Sequence, residues 1–130
     1  MLLEVLIAVL IFAFGILGIV GLQATSIKQV TDAKFRMEAT LLSNQLIASM
    51  WMSDRSTAFL QANFDSSTSN PVGYTAWKST ASEKLPGVNA YAPQVSVDND
   101  NVVTVTIQWL APNDPPGSTP HRHVTIAQIK

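Results

Sequence analysis

The chain reads as an α+β protein, with one long N-terminal helix packed on a C-terminal antiparallel sheet. Three observations predict this. Residues 2–22 run LLEVLIAVLIFAFGILGIVGL, with Glu4 as the only charge. No proline occurs before Pro71, and up to that point glycine is confined to Gly15, Gly18 and Gly21. The last third alternates apolar with polar residues at the period of a strand. The resulting plan is an apolar, membrane-length helix over 1–23 and its amphipathic continuation over 24–53. A connection with room for one short helix follows over 54–93, and the sheet occupies 94–130.

At ~1.5 Å per residue the apolar stretch matches the ~30 Å hydrocarbon thickness of a bilayer. A helix apolar on every side needs lipid, or other helices of its kind, around it. Glu4 is the odd residue, because a carboxylate at the membrane centre costs roughly 2.5–3.5 kcal/mol, and less near the interface. It lies within a turn of the chain start, where unpaired N–H groups and an amino terminus carry positive potential. Three partners are open to it: its own terminus, the terminus of a neighbour in a staggered array, or headgroup water. The glycines of GILGIVG let helices approach closely. Each also lowers helix propensity by roughly 1 kcal/mol relative to alanine, so packing and local loosening are both expected there.

Beyond Gln23 the helix becomes amphipathic and is expected to end near Ser53, a length of roughly 75–80 Å. Ile27, Val30, Met37, Leu41 and Ala48 form one stripe, with Phe35, Leu42, Leu46 and Met50 beside it. Together they make a face broad enough to pack on the sheet, with the first five as its leading stripe. Lys28, Asp32 and Arg36 follow at i, i+4 spacing as a solvated face, worth a few tenths of a kcal/mol per pair.

From Ser53 to Pro93 the composition shifts to Ser, Thr, Asn and Ala, and SSTSNPVG (Ser66–Gly73) is turn and loop. Thr75 to Lys84 reads as a short helix capped by Thr75 and stopped by Leu85–Pro86–Gly87. Phe59, Phe64, Tyr74 and Trp77 are expected to tie this connection to the sheet. Val95 and Val97 begin the strands, Asp98–Asn101 turns, and Val103, Val105, Ile107 and Trp109 alternate with polar residues. That odd-numbered face should pack on the helix. Ala111–Pro120 (APNDPPGSTP) carries four of the seven prolines and is a stiff, protruding loop. His121 to Ile129 is the last strand, with Val124 and Ile126 inward and His121 and His123 facing solvent.

Composition narrows the function. The hydrophobic fraction of 47% and charged fraction of 13% reflect the apolar segment, and 130 residues leave room for one modest domain beside it. A net charge of −1 offers no basic footprint, so nucleic acid is not an expected partner. Cysteine is absent, which removes disulfides, thiolate metal sites and a Cys nucleophile. His121 and His123 share a strand face, but two ligands without Cys or a carboxylate nearby in sequence do not make a zinc site. Asp98–Asn101 (DNDN) lacks the glycine and distal glutamate of a calcium loop, and reads as a turn. No nucleophile-elbow, phosphate-loop or paired-carboxylate signature occurs, so no enzyme, cofactor or metal is expected.

The stretch LLEVLIAVLIFAFGILGIVGLQ, with one Glu near its start, resembles the N-terminal helix of type IV pilins. It is closest to the PilV-type minor pilins, through LIFAFGILGIVGLQ in particular. The resemblance is specific over residues 1–23 and extends to the layout of the rest as a pilin-like fold. It implies a precursor whose basic leader is cut before an N-methylated residue, and on that alignment Met1 lies one residue past the methylated position. It also implies an assembly surface of Met1, Glu4, Gly15, Gly18 and Gly21, with helix in part of this region lost in assembled fibres. Lys28, Lys34 and Arg36 follow the span, so a positive-inside count puts the C-terminal part in the cytoplasm, and a cleaved basic leader reverses that.

The function this implies is that of a minor pilin that helps initiate or modify a type IV pilus. It would be held in the bacterial inner membrane by a single pass with its C-terminal domain periplasmic, and then incorporated into the extracellular fibre. Its partners would be major and other minor pilins, through helix–helix packing, and an inner-membrane assembly platform. Twitching motility and adhesion would follow from the fibre. The alternative is a minor pseudopilin of a type II secretion system, whose helix-and-sheet plan is the same. A third reading is a membrane-tethered binding or enzymatic domain that never polymerises.

Overall fold

The computed structural model describes residues 1–130. Helix α1 spans Leu2–Met52, and two shorter helices follow, α2 (Thr57–Phe64) and α3 (Val72–Lys84). Strands β1 (Gln94–Val97), β2 (Val102–Trp109) and β3 (His121–Gln128) form an antiparallel sheet in the order β1-β2-β3. The chain divides into two compact units, Met1–Ala33 and Lys34–Lys130.

The first unit is helix alone. Its apolar side chains from Leu2 to Leu22 are exposed, and the helix continues without a break through Gly15, Gly18 and Gly21. By length and composition it is able to cross a membrane. Lys28 and Asp32 form no ion pair, so that face carries no ladder.

The second unit is α+β, built on one core. Ala39, Leu42, Leu46 and Met50 of α1 join Val95, Val97, Val103, Val105, Ile107, Trp109 and Ile129 from the sheet side. As the period-2 pattern predicts, the odd-numbered face of β2 is buried. Phe64, Tyr74 and Trp77 are core residues, and Phe59 packs against them half-buried. The Tyr74 hydroxyl donates to the Pro93 carbonyl (2.7 Å), and the Trp77 indole N–H donates to the Leu42 carbonyl (2.9 Å). Tyr74 and Trp77 thus each find a partner for their one polar group.

Only part of the expected helix face packs: Phe35, Leu42, Leu46 and Met50 do, and the leading stripe does not. Met37, Leu41 and Ala48 are exposed, as are Ile27 and Val30 in the first unit. The buried positions are Ala39, Leu42, Ser43, Leu46 and Met50, flanked by Phe35 and Ile47. At ~100° per residue these centre almost opposite Met37, Leu41 and Ala48. Both sides are apolar, so periodicity alone does not choose between them. Alanine at 39 and serine at 43 mark the buried side, since small residues allow close approach; the Ser43 hydroxyl is satisfied by the Ala39 carbonyl at 2.9 Å.

The connection holds two helices rather than one. Ser56 caps α2, its hydroxyl accepting from the Phe59 N–H (3.4 Å), and the Asp54 carboxylate accepts from the Ser56 N–H (2.9 Å). Helix α3 begins at Val72, after Pro71. Thr75 lies within its first turn and donates back to the Pro71 carbonyl (2.9 Å) instead of capping. The helix ends at Lys84, before Leu85–Pro86–Gly87, as expected.

Strand β3 is turned over relative to expectation. Ile107 pairs with His123, Trp109 with His121, and Val105 with Thr125. Directly paired residues share a sheet face, so His121, His123, Thr125 and Ala127 lie on the inner side. Val124 and Ile126 point outward, 41% and 67% exposed. The His121 ring stacks on Trp109 (centroids 5.6 Å apart), and its Nε2 meets the Asp114 carboxylate at 3.1 Å. His123 Nε2 contacts the Thr125 hydroxyl at 2.9 Å. A carboxylate thus does stand beside His121, delivered by the proline-rich loop. Asp114 also accepts from the Ala111 N–H (2.8 Å), which ties that loop to its own root.

The outer edge of β1 is closed by side chains. The Asp98 N–H donates to the Val102 carbonyl, and strict alternation from that pair turns the backbone groups of Val95 and Val97 away from β2. All of them are met. Ser66 donates through its N–H and its hydroxyl to the Val95 carbonyl (both 2.9 Å). The Val95 N–H donates to Ser66 Oγ (3.1 Å), the Val97 N–H to Asp65 Oδ2 (3.0 Å), and Gln61 Nε2 to the Val97 carbonyl (3.1 Å).

Asp65 carries a pH dependence. Burial works to raise its pKa, but the Ser67 hydroxyl, the Val97 N–H and the Ser67 N–H donate to the carboxylate and outweigh it. The net effect holds the group below its ordinary value of 3.8. A folded-state pKa below the unfolded one means that ionised Asp65 stabilises the fold above the unfolded value. That contribution is lost as pH falls through the folded value. Asp65→Asn is therefore expected to lower the urea midpoint near neutral pH, with the difference from wild type shrinking as the pH drops below the ordinary carboxylate range. Urea titrations of both proteins at several pH values, followed by the emission of buried Trp109, check this; a difference that does not vary with pH would contradict it.

Candidate assembly surface

The residues assigned to assembly lie on α1. Met1 precedes the helix and is fully exposed, and the Val5 N–H donates to its carbonyl (3.3 Å), closing the first turn. Glu4 is the one acidic residue of that turn. Its carboxylate makes no ion pair with the Met1 amino group or with any other cation of the chain. Of the three partners open to Glu4, pairing with its own terminus is thus not what the structure shows.

Gly15, Gly18 and Gly21 share the helix with exposed Phe12, Phe14, Leu17 and Leu22. A Cβ added at any of the three glycines would meet no atom within 4 Å. Their small size therefore serves no packing inside the chain. An N-terminal helix with these large side chains exposed on all sides has far more uncovered apolar surface than a soluble monomer carries, which marks it for lipid or for other protein.

In the second unit, Met37, Leu41 and Ala48 make an apolar strip on the side of α1 away from the core. The sequence pattern joins this strip to Phe35, Leu42, Leu46 and Met50 in one broad face, of which only those four pack on the core. The polar residues that close the β1 edge, Gln61, Asp65 and Ser66, escaped sequence reading. Asp65–Ser66–Ser67 carries a visible turn signal, with Asp65 Oδ1 accepting from the Ser67 N–H at 2.8 Å, but nothing local ties it to a strand some thirty positions on. Asp114 was equally hidden as the partner of His121.

Comparison with protein-family models, with curated proteins and with solved structures finds no match.

Proposed function

We propose that the chain is a minor type IV pilin, a structural subunit that helps initiate or modify assembly of the pilus. One observation carries this reading. An uncovered apolar helix of membrane length bears a single carboxylate, in its first turn, that the chain itself leaves unpaired. The α+β unit and the resemblance of residues 1–23 to the pilin N-terminal helix support it. Before assembly the helix is held in the inner membrane, with the α+β unit in the periplasm. In the fibre it packs among the helices of other pilins, and the Glu4 carboxylate meets the terminal amine of a neighbour. That pairing sets the axial stagger, because a charge in a low-dielectric bundle is tolerated only beside its counter-charge. The glycines admit neighbouring helices closely.

Glu4→Ala is expected to insert in the membrane as wild type does, since removing the charge makes the span more apolar, yet to disappear from sheared surface fibres. Membrane fractionation after carbonate extraction and immunoblotting of the sheared fraction measure the two outcomes. Normal amounts of Glu4→Ala in the fibres would overturn the pairing. Deletion of the chain separates the pilus from the secretion reading: loss of fibres and twitching supports the first, while loss of secreted proteins with fibres intact supports the second.

A further inference from the structure

The two edges of the sheet are treated differently. The outer backbone groups of β1 are all taken up by Gln61, Asp65 and Ser66, as described above. At the other side, the Ile129 N–H donates to the Asn101 carbonyl. Alternation from that pair directs the odd-numbered residues of β3 toward β2, and the N–H and C=O groups of Arg122, Val124, Ile126 and Gln128 outward. No hydrogen bond of the chain reaches those outward groups. The strand also lacks the usual protections of an edge, having an unbroken register without bulge or proline, and one charge, Arg122. Val124 and Ile126 are exposed beside this open edge.

We propose that β3 is a strand-addition surface whose occupant is β3 of a second copy of this chain, paired antiparallel about a two-fold axis at Thr125. This inference stands independently of the pilin reading. The sequence HRHVTIAQ is complementary to itself in that register. Val124 lies opposite Ile126 of the second copy, and Arg122 opposite Gln128, so apolar meets apolar and no like charges face each other. On the inner side His123 lies opposite Ala127, a large ring beside a small side chain. Moving the centre to Val124 would set Arg122 against Ile126, and moving it to Ile126 would set Arg122 against Lys130. The Thr125-centred register avoids both. It turns the four outward residues on each copy into hydrogen-bonded pairs and joins two three-stranded sheets into one continuous sheet. A contact of strand edges alone is small, so its affinity is modest. It gains strength wherever the apolar helices hold two copies in one membrane or micelle.

The chain has no cysteine, so single-cysteine variants report on pairing without background. In the proposed register Thr125 meets Thr125 of the second copy as a non-hydrogen-bonded pair, with Cα atoms roughly 4.5 Å apart. That lies inside the ~4.4–6.8 Å window that a disulfide spans. Full-length Thr125→Cys in detergent micelles, oxidised with copper-phenanthroline, is expected to give several-fold more disulfide dimer than Thr119→Cys in the neighbouring loop. Adding Ile126→Lys, a change at an exposed position, is expected to return the yield to that of the control. Amide exchange on the unsubstituted chain gives a second reading: the N–H groups of Arg122, Val124, Ile126 and Gln128 should slow as protein concentration rises. Association through the apolar helix alone would leave Thr125→Cys no better than the loop control and these amides in fast exchange at every concentration. Either result overturns the proposal.

Discussion

Trp77→Ala is expected to cost about 3–5 kcal/mol, the range for truncating a buried aromatic. That is a large part of the ~5–15 kcal/mol that holds a domain together. Trp77 sits on α3, is 7% exposed, packs near Tyr74 (centroids 6.2 Å apart) and donates its indole N–H to the Leu42 carbonyl of α1. It therefore supplies apolar filling and also a directed bond between helices. Trp77→Phe separates the two contributions: it keeps most of the filling and loses the bond, at about 1 kcal/mol for the bond plus a small void. In urea titrations of the full chain in micelles, Trp77→Ala should lower the midpoint by at least about 1 M, given a slope of roughly 1–3 kcal/mol per molar. Trp77→Phe should fall between it and wild type. Trp109, 1% exposed, reports unfolding in both variants. Equal midpoints for Trp77→Ala and wild type would show that α3 does not contribute to the core.

The second large effect distinguishes the two apolar sides of α1. Leu46 is 1% exposed and Leu41 is 54% exposed. Leu46→Asp places an unpaired carboxylate among Leu42, Met50 and the sheet, and is expected to abolish the folded second unit. Leu46→Ala, the milder test, should cost about 2–5 kcal/mol. Leu41→Asp and Leu41→Ala should each lie within about 0.5 kcal/mol of wild type, as surface changes do. Proteolysis of the second unit and the urea midpoint give the comparison. If Leu41→Asp proved as damaging as Leu46→Asp, the outward assignment of Met37, Leu41 and Ala48 would be wrong.

These two sides of one helix show where sequence reading reaches its limit. An apolar stripe at helical spacing is visible in Met37, Leu41 and Ala48, and a second in Phe35, Leu42, Leu46 and Met50. Amphipathicity identifies a core face only when the opposite face is polar. Here it is not, and the sheet packs on the second stripe. The same limit applies to β3. Val124 and Ile126 have the pattern of an inward pair, yet pairing to β2 sets the faces, and a shift of one residue exchanges them. Helix α2 is too short, at eight residues, for its periodicity to stand out, even with Ser56 as its cap.

Elements that depend on near neighbours are legible in the residues alone. These are the long helix within the proline-free first 70 residues, the apolar span with its lone carboxylate, the turn at Asp98–Asn101, and the alternation that buries Val103, Val105, Ile107 and Trp109. Tertiary structure alone decided which stripe of α1 is covered and which way β3 faces. It also brought Asp65 and Ser66 to the edge of β1, left the edge of β3 open, and placed Asp114 beside His121. Range explains the division. Propensity, capping and periodicity act over a few residues, whereas a face or an edge is defined only by the segment that arrives opposite it.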